Sequence, residues 1–277
     1  MHVRLLIKIK EDIFGKLGLV LMALFIFSAL ILPFIFHDTE SHSQTIFGPP
    51  SSGHILGTND VGQDIFSRLI HGTRTSVFVA VGAGFLSTLI STFVGVSAGI
   101  IGGIYDKILM RLVDALLVIP TIVILILTAS YINPGVWVLT LLISLLYWQG
   151  GARVIRSQTL SLKERMHISA ARTFGAGRWY IIFRHIIPDL GPILVVSFIH
   201  RARMAVFMEA GLAFIGIADP LMISWGMMMH HALKFYYLPV WKWWLIPPGV
   251  ALSLLIISFA FLGYSLEKVL EPRLRNA

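Results

Sequence analysis

Four stretches of this chain reach or exceed the thickness of a bilayer without one Asp, Glu, Lys or Arg: residues 17–36, 75–104, 115–152 and 243–266. About 20 apolar residues in a helix cross the roughly 30 Å hydrocarbon layer, where no water is available to bond exposed backbone groups. A soluble core cannot absorb runs of this kind. The chain is 56% hydrophobic and 13% charged, where soluble domains carry roughly 45–50% and 25%. The run 115–152 is too long for one crossing, and Asn133-Pro134-Gly135 divides it into two helices. Residues 186–208 read as another span, although Asp189 lies near its start and Arg201 and Arg203 further in. The sequence therefore predicts an all-α integral membrane fold of about six transmembrane helices.

Lys8, Lys10 and Lys16 precede the first run as they would in a signal peptide, but its 20-residue length and lack of a small-residue cleavage pattern argue for a retained helix. The absence of cysteine excludes disulfides, thiolate metal sites and a cysteine nucleophile. Orientation follows from the connections. Sixteen Lys and Arg fall on one side: Arg4, Lys8, Lys10, Lys16, Lys107, Arg111, the seven between Arg153 and Arg184, Lys268, Arg273 and Arg275. Only Arg68, Arg74, Lys234 and Lys242 fall on the other. Basic loops stay in the cytoplasm, so both termini are expected there. The net charge of +8 is then a topology signal and implies no nucleic-acid partner.

Residues 1–72 form an amino-terminal span followed by an extracytoplasmic loop, 37–72, which is rich in Gly, Pro, Ser and His, exposed and partly ordered; residues 73–277 form the main membrane domain. Ser87, Ser91, Gly95, Gly99 and Gly103 recur every four residues, which lets helices pack closely along one face. The basic connection 157–185 reads as helix rather than coil. Its small residues Ser169, Ala170, Ala171 and Gly175 are followed by Trp179, Ile182 and Phe183. Such a helix either lies on anionic membrane lipid or docks a soluble cytoplasmic protein. Near the outer end, Trp241, Trp243 and Trp244 read as an interfacial belt. Met222, Met227, Met228 and Met229 with His230 and His231 read as packing in preference to metal contact, because adjacent histidines do not share a helix face.

The stretch from Ile168 through Ser169-Ala170-Ala171 and Gly175 to Arg184-His185-Ile186-Ile187-Pro188 resembles the EAA loop of permease subunits of binding-protein-dependent ABC importers, in the branch that carries peptides and nickel. Ser169 stands where that motif usually has Glu, so contacts of that Glu are not implied. Residues 56–64, Arg111 and Asp114 with Pro120, residues 160–165, Glu209-Ala210-Gly211 with Ser224-Trp225-Gly226, and Glu271-Pro272-Arg273 extend the similarity over about residues 54–275.

The resemblance implies that Ser169, Ala170, Ala171, Gly175 and Pro188 belong to an ATPase-coupling helix. It also implies a second homologous permease, two ATP-binding subunits and an extracytoplasmic substrate-binding protein as partners. No Gly-x4-Gly-Lys-Ser/Thr phosphate loop occurs, so the chain is expected to hydrolyse no ATP, to need no cofactor and to be no enzyme. A stand-alone secondary transporter would show related halves, and an intramembrane enzyme would show facing acids or His pairs; neither pattern is evident.

Arg201 and Arg203 lie about 14 to 16 residues into the fifth span, roughly 21–24 Å deep and beyond the midplane toward the outside. Glu209 is the nearby acid in that span, but its spacing strains an intrahelical pair. Arg201, Arg203 and Glu209 are therefore the translocation-pathway residues, at least one arginine facing a cavity and drawing a carboxylate. The competing reading is an interhelical salt bridge.

Overall fold

The computed structural model describes residues 12–36 and 45–270. Arg4, Lys8, Lys10, Glu271, Pro272, Arg273 and Arg275, together with residues 37–44 of the outer loop, lie outside the described residues. Asp12 caps the first helix, α1 (Ile13–Leu30), by accepting from the Gly15 N–H at 3.2 Å, and Pro33 opens the further turn Leu32–Ile35. The next helix, α2 (Ile65–Ile101), is the long central one. Its 37 residues span about 55 Å. Asp64 caps it by accepting from the Ser67 N–H at 2.8 Å, eleven residues before the uncharged run begins. Counting uncharged residues missed that extension because Arg68 and Arg74 ride on it.

Gly102 and Gly103, at φ of 68° and 62°, turn the chain into α3 (Gly103–Val118). A bend of 76° at Pro120 leads to α4 (Thr121–Ile132), and Asn133 ends α4 in the left-handed region with its N–H on Ala129 O at 2.8 Å. α5 (Val136–Leu146) continues through a 48° bend at Tyr147 and Trp148 into α6 (Gln149–Leu162). The divide at Asn133-Pro134-Gly135 is thus where the sequence places it. Two short helices follow, α7 (Met166–Thr173) and α8 (Arg178–Ile181), and a π-turn, Ile182–Ile186, runs into α9 (Ile187–Ile215). Pro188 sits in the first turn of α9, where a missing N–H costs nothing. The chain closes with α10 (Trp225–Leu233), α11 (Trp241–Trp244) and α12 (Ile246–Leu270).

Among the described residues four helices are long and apolar enough to span a membrane, and six crossings result when each bent pair counts as one. The crossings alternate, so the start of α1, the α2–α3 turn, the end of α6 and the end of α12 share one end of the bundle. Three contacts tie that end together, the inner one on the orientation expected from the basic connections: Lys268 to Asp12 at 3.2 Å, Arg156 to Asp106, and Lys163 Nζ to Gly99 O at 3.3 Å. At the opposite, outer end Asp219 N–H bonds Pro134 O at 3.3 Å, and His71 bonds Phe36 O at 3.0 Å.

α2 packs against α9, α6, α5 and α1. The small-residue stripe makes this approach possible. Ser91 donates to Trp148 O at 2.7 Å. A methyl added at Gly95 would meet Ala152 O at 2.7 Å, one at Gly99 would meet Thr159 at 2.7 Å, and one at Gly84 would meet Ala202 at 3.0 Å. Close packing is what the stripe does. Gly103 stands apart, with open space around it and a backbone turn as its reason.

Candidate translocation cavity and coupling segment

The inner half of the bundle holds a cavity of about 750 Å³ between α3, α4, α6, α9 and α12. Arg201 lines it. Only 8% of this residue is exposed, yet among the described residues no acid lies within ion-pair distance of it. One guanidinium nitrogen donates to Ser197 O at 3.0 Å, and Nε has no partner among the described residues. Room for the group comes from Gly151, where an added Cβ would overlap Nη2. The sequence run Gln149-Gly150-Gly151 thus opens α6 with a bare backbone just where the side chain enters.

His200, Gln149, Gln158 and Glu267 line the same cavity. His200 Nε2 is 2.9 Å from Glu267 Oε1, and Arg203 Nη2 is 3.3 Å from His200 Nδ1. Arginine can only donate, so Nδ1 accepts, and a neutral ring then donates from Nε2 to the Glu267 carboxylate. Arg203 therefore faces α12 rather than the large cavity, beside a small second pocket shared with Tyr264 and Glu267.

Glu209 is elsewhere. It is fully buried, with Ser76 donating to Oε2 at 3.3 Å and Oε1 unpaired among the described residues. The three residues singled out in this span therefore occupy three different environments, and no salt bridge joins them.

Depth also differs from the count along the helix. Glu267 lies one turn from the end of α12, and its neighbour Lys268 pairs with Asp12 at the start of α1. His200 on α9 thus lies level with the last turns of α12, nearer that end than the count along the helix places it. The reason is that the helical stretch from Arg178 to Ile215 is 38 residues, about 57 Å, nearly twice the hydrocarbon thickness. Position along it overstates depth. Sequence reasoning missed His200, Gln149, Gly151 and Glu267; the signal available was three basic side chains within four residues of one apolar span.

The segment between α6 and α9 projects from the inner end. Ser169 and Ala170 are exposed on α7, Ala171 is half-buried, and Ile168 anchors the helix in a core with Val96, Ile155, Ile186 and Leu190. Gly175 ends α7 at φ +82°, and the Ala176 N–H reaches back to Ala171 O at 3.0 Å. This is a helix-terminating turn that glycine adopts without strain. Nothing lies within 4 Å of an added Cβ there. Pro188 is exposed at the start of α9, and its neighbour Asp189 lies 3.4 Å from His167 Nε2 and 3.7 Å from Arg165 Nη1. Through Asp189, α7 is fastened to the helix that carries Arg201. Met166, Phe174 and Trp179 are exposed, while Trp179 and Phe183 also line an apolar groove of about 510 Å³ against α2.

At the outer end Met222, Met227 and Met228 are buried core residues. Trp225 donates its indole N–H to Leu69 O at 3.0 Å, and His230 bonds Phe214 O at 2.9 Å. Packing accounts for these side chains. Trp244 is buried with them and stacks on Phe235, so this tryptophan packs in the core and not in a belt.

The profile of the family described as "Binding-protein-dependent transport system inner membrane component" matches residues 87–276. A putative peptide permease protein of Brucella suis biovar 1 is 35% identical over 259 residues, covering 92% of this chain and 86% of its own length. The dipeptide transport system permease protein of Bacillus subtilis is 32% identical over 272 residues, 97% of this chain and 85% of the relative. A glutathione transport system permease protein of Pectobacterium atrosepticum is 32% identical over 267 residues, 95% of this chain and 86% of the relative.

Proposed function

We infer that this chain, which belongs to the family of binding-protein-dependent transport system inner membrane components, is one of two paired permeases of an ATP-driven importer for short peptides. Its relatives' names specify peptide, dipeptide and glutathione systems, which supports peptides over nickel chelates as cargo. One observation carries the assignment of the pathway: a guanidinium without an acid partner among the described residues, held at the wall of an inner cavity. A charge in that position costs about 2.5–3.5 kcal/mol on insertion scales unless it meets water or a ligand. The uncompensated arginine supports a pathway role for Arg201 over a structural salt bridge.

On this reading Arg203 supports the cavity wall through His200, and Glu209 is a buried anchor between α2 and α9. The inner end faces the cytoplasm, in keeping with its sixteen basic residues against four on the outer connections. Separate subunits supply the ATPase, because the chain has no phosphate loop. They dock on the exposed Ser169–Ala170 side of α7, with Phe174 as an apolar anchor. An extracytoplasmic binding protein delivers cargo to the outer cap. When the ATPase pair closes, α7 moves with it, and the contacts of Arg165 and His167 with Asp189 transmit that motion to α9 and so to Arg201. Two rigid arrangements exchange.

The assembled importer in proteoliposomes tests this. With the binding protein outside and ATP inside, a radiolabelled dipeptide is taken up, and Ala170→Arg on α7 abolishes uptake while leaving the permease folded and inserted in the membrane. Uptake by the chain alone, without ATP, would establish a secondary transporter instead.

A further inference from the structure

The Arg201 cavity carries two opposite poles, and nothing in the fold neutralises either one against the other. At one side stands the guanidinium of Arg201, nine-tenths buried, with Ser197 O as its hydrogen-bond acceptor and Nε unpartnered among the described residues. At the other is the Glu267 carboxylate, half-buried, with Oε1 bonded to His200 at 2.9 Å. Both line the cavity, yet they are too far apart to pair. The rest of the lining is mostly apolar, with Leu117, Val154, Val196 and Met204, and also carries Thr121, Gln149, Gln158 and Ser197.

We propose that this cavity binds a short peptide as a zwitterion, Arg201 taking its carboxylate and Glu267 its ammonium group. The proposal rests on the reading of the cavity as the translocation pathway. A guanidinium presents a planar fork of N–H donors that matches a carboxylate, and a charge-assisted pair of this kind is about twice as strong as a neutral hydrogen bond. Glu267 uses one oxygen on His200 and keeps the other for a donor from cargo. Arg203 is a positioning residue here. Its contact with His200 Nδ1 fixes the tautomer that donates to Oε1 and so turns the second oxygen toward the cavity. The mostly apolar wall accepts side chains of many kinds, so what is read is the two charged ends of the cargo and not its sequence.

Recognition by a binding protein would mask this selectivity, so the test uses the assembled importer in nanodiscs without that protein. Equilibrium dialysis with radiolabelled dialanine gives the affinity, and dialanine amide and N-acetyl-dialanine serve as competitors. Both competitors are expected to bind about tenfold or more weakly, since each lacks one charged contact. Arg201→Gln should make dialanine and its amide equal while preserving discrimination against the N-acetyl form, and Arg201→Lys should restore part of the difference. Glu267→Gln should do the converse, and Arg203→Gln should weaken selectivity at the ammonium end alone. Equal competition by all three compounds in the native assembly overturns the zwitterion site. If the same assembly, given its binding protein and ATP, still imports dialanine, the peptide-importer reading survives that result; if it imports none, both fall.

Discussion

The two ends of this bundle are finished to different degrees. At the outer end Trp225 and Trp244 are 0% and 1% exposed, Thr58 and Asn59 are buried, and Asn59 Oδ1 accepts from the N–H groups of Val61 and Gln63. The outer loop is folded from residue 45 onward, more ordered than its Gly, Pro and Ser content implies. At the inner end Phe174 is 90% exposed and Met166 87%. Leu221 is 88% exposed at the outer end as well, so the contrast lies beneath the surface: two tryptophans are buried under the outer cap, whereas Trp179 of the inner segment is 71% exposed. The outer cap is an intramolecular core; on the proposed function the inner segment is half of an interface.

The largest effect expected is all-or-none. The chain has no cysteine, so Gly53→Cys and Arg178→Cys each place one thiol. Position 53 has open space around it, and position 178 is exposed. An impermeant thiol reagent should label position 53 in intact cells and position 178 only after permeabilisation. Labelling of 178 from outside would reverse the two ends and with them the whole comparison.

Next in size is the contrast between a core tryptophan and an interface phenylalanine. Trp225→Ala removes a fully buried ring and its bond to Leu69 O, and should cost about 3–5 kcal/mol, read as a large fall in the thermal midpoint of the purified chain. Phe174→Ala should change stability by less than about 0.5 kcal/mol, while uptake by the assembled importer drops. A comparable loss of stability at both positions would mean that the inner segment is part of the chain's own core.

Much of the fold was legible because the bilayer imposes it. Uncharged runs gave all the crossings but the fifth, Asn133-Pro134-Gly135 gave the turn between α4 and α5, and the stripe from Ser87 to Gly99 gave a close-packing face on α2 without naming α6 as what packs there. Helix ends were not legible where charged residues extend a helix beyond the hydrocarbon, as Arg68 does on α2 and as the turns before Leu190 do on α9. The site was half legible. Arg201 announces itself as a charge in an apolar span, but Glu267, which lines the same cavity, reads as an ordinary end-of-helix acid, and only the approach of α12 to α9 brings it to His200. Glu209 announces itself equally well and lies elsewhere, because burial against Ser76 leaves no mark on the sequence.

The smallest effect separates two reasons for a glycine, one at each end. Gly57 has φ +73°, and a side chain there would collide with Gly48 O; conformation and space both demand glycine. Gly175 has φ +82° with nothing within 4 Å, so within this chain conformation alone demands it. Asparagine adopts the left-handed region with little strain, whereas alanine pays roughly 1–2 kcal/mol. Gly57→Asn should therefore destabilise the outer cap by more than Gly57's φ alone explains. Gly175→Asn should leave the thermal midpoint of the chain unchanged, and Gly175→Ala should lower it slightly. Uptake by the assembled importer then decides what the partner requires. If Gly175→Asn transports normally and Gly175→Ala is mildly impaired, the turn is what matters and the docking surface begins on α7 itself. If both variants lose uptake equally with stability intact, the ATPase subunit approaches the backbone at Gly175 too closely for any side chain, and the open space seen there is the space that subunit fills.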